Sequence, residues 1–368
     1  MPKNKIIANK LLLSGLVVLT LVLTACGGNT SMFRGDPSHT AVSNESGPTS
    51  LEMLHWKYSA PDKVYSSPLV ANGKIYLGSN DKHLYAIDQQ TGQLKWSFKT
   101  GGNVESTPAT ANGIIYIGSW DKNMYAISDK TQAIVWKQQT KGAISSSPII
   151  ADGDIYFACE DGNLYSADAE TGFRKWSFNA GASIYSSPAI YGDYIFFGTL
   201  KGEMISVNRN TGQEYWRFKT NGKIHSSPAV DEDNVYFGSD DKRVYAVNIH
   251  TGQQSWVKKT AGPVLSSPAI YKDRVYIGSK DGYVYAYNAE DGRREWEYKT
   301  EAGVFAPVTI ASNTVYVGST DGHLYALDAS EGKLRWKYKV DSNIYSAAVV
   351  SDDHVYFSSV NGSLFAVK

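Results

Sequence analysis

The sequence predicts an all-β protein, and three regularities within its 368 residues support that prediction. Eight tryptophans recur at an unbroken spacing of forty residues, namely Trp56, Trp96, Trp136, Trp176, Trp216, Trp256, Trp296 and Trp336. Between them, short runs of alternating apolar and polar residues are separated by Asn-Gly, Asp-Lys and Thr-Gly pairs, which favour turns. The 25 tyrosines and 33 glycines complete the composition of a turn-rich β protein.

Each forty-residue unit predicts four short strands. In the first unit "SSPLVA" is followed by Asn72-Gly73, and then come "KIYLGS", "HLYAID" and "LKWSFK". Four-stranded units at this period are typical of a β-propeller, whereas an open stack of repeats needs atypical capping repeats. The repeats instead begin with a lone fourth strand around Trp56 and finish with a unit that lacks one. We therefore predict an eight-bladed propeller of four-stranded antiparallel blades, in which the N-terminal strand closes the last blade.

The N-terminal residues have the pattern of an export signal. Lys3, Lys5 and Lys10 form a basic region before an apolar run, Leu11 to Ala25, that ends in small residues, so residues 1–25 are predicted to be a signal peptide. The run finishes "LTAC", which resembles the lipobox of bacterial lipoproteins and implies lipidation of Cys26; the alternative is an ordinary secretory signal with a chance cysteine. Residues 26–53 are rich in Gly, Ser, Pro and Asn. They are predicted to be a flexible tether between the lipid and a propeller of residues 54–368.

Composition and motifs argue against several functions. Lys plus Arg and Asp plus Glu both total 36, so no basic excess indicates a nucleic-acid partner. Lipidation of Cys26 leaves Cys159 alone in an apolar run, where a small buried side chain is expected and no disulfide can form. Haem-attachment and phosphate-loop motifs do not occur, and the seven histidines lack metal-ligand spacing. We predict a monomeric ring that is not an enzyme and binds no cofactor or metal.

Three segments resemble a known repeat. "YAIDQQTGQLKW" (85–96), "YSADAETGFRKW" (165–176) and "YALDASEGKLRW" (325–336) are similar to the A-x-D-x-x-x-G-x-x-x-W tryptophan-docking repeat of quinoprotein-type, or PQQ-like, propellers. "FRGDPSHTA" (33–41) also resembles the segment that often precedes the first blade in this superfamily. The resemblance implies that each tryptophan packs between blades against the Ala and Gly of the next motif. Gln132 departs from it, since it stands where the second copy should have Gly.

The resemblance specifies the fold more sharply than the function, because the repeat occurs in both enzymes and scaffolds. Together with the lipobox it implies a scaffold of the outer-membrane β-barrel assembly machine, anchored at the periplasmic face of the outer membrane. In a Gram-positive host the anchor would lie in the outer leaflet of the cytoplasmic membrane. The alternatives are a propeller that binds a small molecule or pyrroloquinoline quinone, as in the dehydrogenases, and a cell-surface sensor or carbohydrate binder. The dehydrogenases of the superfamily use an adjacent pair of cysteines, which this sequence lacks.

Positions that serve only the architecture should be alike in all eight copies, and two positions are not. One precedes "SSP" and the other follows the "GS" that ends the second strand. Both are expected at the same mouth of the ring, where propellers usually bind their partners. The predicted partner or ligand face consists of Tyr65, Glu105, Trp120, Glu160, Tyr185, His225, Phe305 and Tyr345. Trp120 is the preferred site, because its counterparts are mostly polar or small.

Overall fold

The structure, a computed structural model, describes residues 31–43, 45–51 and 53–368; the predicted signal peptide and Cys26 lie outside these residues. The described residues form 33 β-strands: 32 of them form eight four-stranded antiparallel sheets, which are the blades of a ring, and one short strand adds in parallel to one of these sheets. The predicted eight-bladed propeller is confirmed. No helix among these residues is long and apolar enough to span a lipid bilayer.

Two strands precede the first blade: β1 (Val42–Ser43) and β2 (Leu54–Ser59). Blades 1 to 3 consist of β3 (Leu69–Ala71), β4 (Lys74–Gly78), β5 (His83–Asp88), β6 (Leu94–Lys99); β7 (Ala109–Ala111), β8 (Ile114–Gly118), β9 (Asn123–Ser128), β10 (Ile134–Gln139); and β11 (Ile149–Ala151), β12 (Asp154–Ala158), β13 (Asn163–Asp168), β14 (Arg174–Asn179). Blades 4 and 5 consist of β15 (Ala189–Tyr191), β16 (Tyr194–Gly198), β17 (Glu203–Asn208), β18 (Glu214–Lys219); and β19 (Ala229–Val230), β20 (Asn234–Ser239), β21 (Arg243–Asn248), β22 (Gln254–Lys259).

The remaining blades follow the same order. Blades 6 and 7 consist of β23 (Ala269–Tyr271), β24 (Arg274–Gly278), β25 (Tyr283–Asn288), β26 (Arg294–Lys299); and β27 (Thr309–Ala311), β28 (Thr314–Gly318), β29 (His323–Asp328), β30 (Leu334–Lys339). Blade 8 consists of β31 (Val349–Ser351), β32 (His354–Ser358), β33 (Ser363–Val367) and the N-terminal strand β2. Within each blade the first strand lies innermost, beside the central channel, and the strand that contains the tryptophan lies outermost.

The burial of each strand follows from its place in the blade. Ile75, Tyr76 and Leu77 of β4 are all fully buried, because neighbouring blades cover both faces of a central strand. On the outermost strand β6, Trp96 and Phe98 are half-buried, whereas Lys95, Ser97 and Lys99, which alternate with them, are exposed. The sequence alternation therefore sets which side chains fill the space between blades.

The repeated tryptophans join neighbouring blades. The Trp136 indole nitrogen donates a hydrogen bond to the Ala169 carbonyl of blade 3 at 2.8 Å. Gly172 has a φ of +72°, and a Cβ there would lie 2.6 Å from the Trp136 ring, so glycine is needed both for the turn and for the close contact. The alanine of the motif is placed differently from the expectation. Ala126 lies directly opposite Trp136 in the same blade and does not belong to the next one.

The N-terminal strand closes the ring as predicted. β2 pairs antiparallel with β33, with Trp56 opposite Ala366. The Trp56 indole then donates to the Gln89 carbonyl of blade 1 at 3.1 Å. Five other tryptophans make the equivalent bond to the next blade: Trp136, Trp176, Trp216, Trp256 and Trp296. The eighth blade is thereby built from both ends of the propeller sequence, and it is fastened to the first.

The prediction of a flexible tether over residues 26–53 is wrong for the part that the structure describes. Residues 31–43 enter the central channel, where Phe33, Arg34, His39 and Ala41 are buried. We call residues 31–43 the channel segment. Its backbone carbonyls accept hydrogen bonds from the innermost strands of blades 4, 5, 6 and 7, that is, from the amides of Ile190, Val230, Ile270 and Ile310. The amides of these innermost strands are thus satisfied by the backbone of the channel segment, whatever its side chains are.

Candidate functional site

The ring has two faces with different content. The innermost strand of each blade begins, and the second strand ends, at one face, which we call the rim. The opposite face, called here the turn face, carries the turns between these two strands, such as Asn72-Gly73, where both residues have positive φ. The two variable positions of the repeat both lie at the rim. One precedes the "SSP" motif that leads into the innermost strand, and the other follows the end of the second strand.

The rim side chains of blades 1 to 4 contact one another across the blade boundaries. The Trp120 indole nitrogen donates to the Ser145 hydroxyl at 3.0 Å, and that hydroxyl donates to a Glu160 carboxylate oxygen at 2.7 Å. The two predicted sets of positions therefore meet in space, as expected from the strand directions. Trp120 remains 42 % exposed despite this bond, so its ring faces solvent at the mouth of the channel.

Two carboxylates give this part of the rim its charge. Burial raises the pKa of Glu105, a hydrogen bond from Asn80 lowers it, and the nearby Glu160 carboxylate raises it again. Burial also raises the pKa of Tyr185, with a further contribution from Glu160. Glu105 and Glu160 thus form an acidic patch at this part of the rim, beside the exposed rings of Trp120 and Tyr185.

The other half of the rim is mainly aromatic. Phe305 and Tyr345 have their ring centroids 5.4 Å apart, and Tyr345 and Tyr65 are 6.1 Å apart. Between the two halves, the His225 ring lies 6.0 Å from that of Tyr185 and 3.5 Å from an Asp240 carboxylate oxygen. Burial lowers the pKa of His225, although Asp240 opposes the shift. All eight predicted face residues lie on this one mouth, with acidic and aromatic sectors.

The repeated "SSP" serines have a structural role that sequence analysis did not assign. The second residue of this motif has a hydroxyl that accepts a hydrogen bond from a backbone amide of the previous blade. The donor is the amide of the equivalent residue there, and the distances are 2.9 to 3.2 Å. This belt of hydroxyls around the channel is formed by Ser67, Thr107, Ser147, Ser187, Ser227 and Ser267. It is interrupted in the seventh copy, where Pro307 has neither a hydroxyl nor an amide hydrogen.

The channel segment fills the other end of the channel. Arg34 donates to the carbonyls of His39, Ser267 and Pro268, and its burial lowers its pKa to about 9. Arg34, His39 and Ala41 all have positive φ, a costly conformation for residues other than glycine, which persists only where surrounding contacts impose it. A cavity of about 340 Å³ remains between the segment and blades 1 and 8.

Other chemically capable side chains are explained by the architecture. Asp121 accepts hydrogen bonds from the Asn123 amide and the Tyr125 hydroxyl, and the equivalent aspartates of blades 1, 3, 6 and 7 accept both corresponding bonds. Cys159 occupies a Ser or Thr position of the repeat, is buried, and has its pKa raised to about 11 by burial. Within residues 31–43, 45–51 and 53–368, no three His, Cys, Asp or Glu side chains come together as metal ligands.

Comparisons with known proteins agree with the geometry. A family model described as outer membrane protein assembly factor BamB matches residues 52–108 and 99–208, and a model described as the β-propeller of the beta-alanine-activating enzyme matches residues 189–368. BamB from Moraxella catarrhalis has a TM-score of 0.73 at 16 % identity, covering 86 % of this chain and 97 % of its own. No curated protein sequence matches the chain.

Enzymes of the same fold are equally similar in structure. A europium-containing methanol dehydrogenase has a TM-score of 0.79 at 14 % identity, with 92 % of this chain and 98 % of that chain covered. The quinohemoprotein alcohol dehydrogenase of Comamonas testosteroni also reaches 0.79 at 14 %, covering 91 % and 80 %. At such identities the likeness is one of fold. The chain is an eight-bladed β-propeller, and its residues 52–208 are similar to the BamB family model. Among the proteins compared, it resembles BamB in both the family model and the structure.

Proposed function

We propose that the protein is a non-enzymatic scaffold of the bacterial envelope, anchored by a lipid on Cys26, whose rim binds a partner protein during outer-membrane β-barrel assembly. The observation that carries the proposal is the match of residues 52–208 to the BamB family model. The lipobox-like "LTAC" and the variable rim support it. The proposed location is the periplasmic face of the outer membrane.

The physical case for the rim depends on what the scaffold leaves free. The docking tryptophans, the hydroxyl belt and the turn aspartates are engaged within the ring. At the rim, Trp120 and Tyr185 are 42 % and 37 % exposed, and large exposed aromatic rings on a rigid support are frequent anchors of protein interfaces. The acidic sector around Glu105 and Glu160 suits a partner surface that offers Lys or Arg together with apolar side chains.

Crosslinking in intact membranes tests the proposal. The full-length lipoprotein is expressed in its host, crosslinked and purified, and the captured proteins are identified. We expect barrel-assembly components, and their absence from the captured material would reject the assembly role.

A pair of variants tests the site. Trp120→Ala should reduce capture about ten-fold or more, as expected for the loss of an interface anchor of about 2 kcal/mol. Phe173→Ala is the matched control, since Phe173 is 73 % exposed but lies at the turn face. Equal capture by both variants would exclude Trp120 as the anchor.

The second candidate function is a quinone-binding propeller, which is favoured by the likeness to the dehydrogenases. Titration with pyrroloquinoline quinone and calcium separates the two functions. A stoichiometric complex with dye-linked dehydrogenase activity would support the second candidate over the scaffold.

A further inference from the structure

We infer that the turn face is the membrane-facing surface of the anchored protein and that the rim points away from the lipid. The inference rests on the proposed lipidation of Cys26 and adds an orientation to it. It follows from the direction in which the channel segment enters and leaves the ring.

The entry is set by an antiparallel bridge. Ser31 pairs with Thr110 of β7, with N–O distances of 3.0 and 2.7 Å. β7 runs from the rim towards the turn face, as every innermost strand does. An antiparallel neighbour runs the other way, so the chain through Ser31 and Met32 rises from the turn face towards the rim. The residues that precede Ser31 in sequence are therefore attached on the turn-face side.

The exit lies on the same face. β1 pairs in parallel with β27, so the chain through Val42 and Ser43 descends from the rim side to the turn face. Beyond it, a Glu45 carboxylate oxygen accepts from the Asp352 amide at 2.7 Å, and the Ser46 hydroxyl donates to Asp353 at 2.6 Å. Both aspartates belong to the turn between β31 and β32. The channel segment is thus a loop inserted into the ring from the turn face.

The distance from the anchor is short. Only four residues lie between Cys26 and Ser31, so five Cα-to-Cα steps join them. A fully extended chain of that length spans at most about 18 Å, so the lipid must lie close to the turn-face end of the channel. The tether expected over residues 26–53 would have allowed any orientation. A tether that ends at Ser31 allows the ring to tilt but does not let the rim reach the same lipid surface.

The turn face carries acidic side chains, so its own charge does not attract it to an anionic membrane. A groove on this face between blades 5 and 6 is lined by one basic side chain, Lys272, and by five acidic ones, Asp231, Glu232, Asp233, Asp273 and Glu290. Anionic headgroups repel such a surface, so it does not adhere to the bilayer by itself. The covalent lipid is what holds the turn face near the membrane.

Energy transfer to the membrane tests the orientation. Asp193→Cys at the turn face and Lys201→Cys at the rim are matched sites, since both are exposed and both belong to blade 4. Each is made in a Cys159→Ser background, which keeps the Ser or Thr found at that position in other blades. The lipidated variants carry a donor dye and are placed in phosphatidylethanolamine–phosphatidylglycerol vesicles with acceptor headgroups. We expect about two-fold or more higher transfer from position 193, since the two labels differ by up to about 26 Å along the strand.

Three results would overturn the inference, and they have different meanings. Equal transfer from both sites, or higher transfer from position 201, refutes the orientation while leaving the anchor intact. A Cys26→Ser protein that still binds the vesicles refutes the anchor as the cause. A purified protein whose mass shows no lipid refutes the anchor in the proposed function, and the orientation falls with it. Inserting 20 Gly/Ser residues before Ser31 should reduce the difference between the two labels.

Discussion

A single side chain alters one of the eight docking contacts. The Trp96 indole nitrogen is buried and has no hydrogen-bond acceptor, whereas Trp136 donates to Ala169. The carbonyl that Trp96 should contact is that of Asp129, and the Gln132 side-chain amide occupies it at 2.9 Å. Gln132 also has a φ of +59°, at a position where other copies have glycine. The second docking contact is therefore weaker than its counterparts.

Replacing Gln132 with glycine should strengthen the boundary between blades 1 and 2. Gln132→Gly frees the Asp129 carbonyl for Trp96 and removes the left-handed strain, which together outweigh the entropy cost of glycine. We expect the free energy of unfolding to rise by about 1 kcal/mol, measured by chemical denaturation. The reciprocal change Gly172→Gln should lower it, because a Cβ there would lie 2.6 Å from Trp136. A lower stability for Gln132→Gly would contradict this account.

This local effect was only half visible in the sequence. The missing glycine is evident from the repeat. Which group donates a hydrogen bond to the Asp129 carbonyl depends on the rotamer of Gln132, and the sequence does not show that rotamer. The same limit applies to Ala126, whose place opposite Trp136 in its own blade depends on strand register.

The N-terminal residues replace a missing part of a blade. The Trp336 indole and the Tyr316 hydroxyl both donate to the Pro48 carbonyl, at 3.0 and 3.2 Å. At other boundaries the acceptor is the carbonyl that follows the third strand of the next blade, such as Ala329 for Trp296 and Tyr276. Residues 45–51 therefore complete the boundary between blades 7 and 8, and they belong to the folded body.

The channel segment should loosen at acidic pH. His39 is fully buried, donates to the Pro228 carbonyl in the tautomer protonated at Nδ1, and has no partner for Nε2. Burial and the adjacent Arg34 lower its pKa to about 3, and the only other charged side chain of the segment is Asp36. Because the unfolded chain takes up a proton below about pH 6.5 and the native state does not, stability is complete above that pH. It should fall by about 1.4 kcal/mol per pH unit between about 6.5 and 3.

The pH dependence can be assigned with two variants. Denaturation of the wild type and of His39→Gln between pH 7 and 4 should show a smaller loss for the variant, which has no imidazole to protonate. His250→Gln is the control, since His250 is exposed at the turn face. A His39→Gln protein that loses stability as steeply as the wild type would argue against this residue as the cause.

The buried position of the channel segment could not be predicted from composition. Gly, Ser, Pro and Asn favour flexible chains because they bury little apolar surface. The burial of residues 31–43 arises from unpaired amides of the innermost strands, which only the closed ring places around them. The resemblance of "FRGDPSHTA" to a family segment was the one signal in the sequence that pointed to an ordered structure.

Closure of the ring should control the stability of the whole molecule. Deletion of Leu54–Ser59 exposes the edge of β33 and leaves the seat at Gly92 without Trp56. Trp56→Ala alone should cost roughly 3–5 kcal/mol, and the deletion should cost more and broaden the melt. Calorimetry of both variants tests this, and a deletion variant with an unchanged cooperative transition would disprove closure by this strand.

At the scale of the whole molecule, the period of the tryptophans predicted the number of blades and the strand that closes them. The identity of the partner does not follow from that period, because positions that build the ring are repeated for packing and the rim positions are not. Glu105, Ser145 and Tyr185 occupy the same place in three successive blades with three chemistries. Because scaffolds and enzymes share this fold, the partner is determined by the rim residues and not by the fold.

The pairing of β2 with β33 also fixes an order of events during synthesis. Residues 31–59 leave the ribosome before any of the eight blades, yet their partners are the innermost strands of most blades and the strand of residues 363–367, which is made after all the other strands of the ring. The partner of β2 is β33, so β2 stays unpaired until residues 363–367 are made. A chain that is exported before that moment has not yet closed its ring, so export does not require a folded ring to be unfolded. Closure of the ring is then the last step of folding.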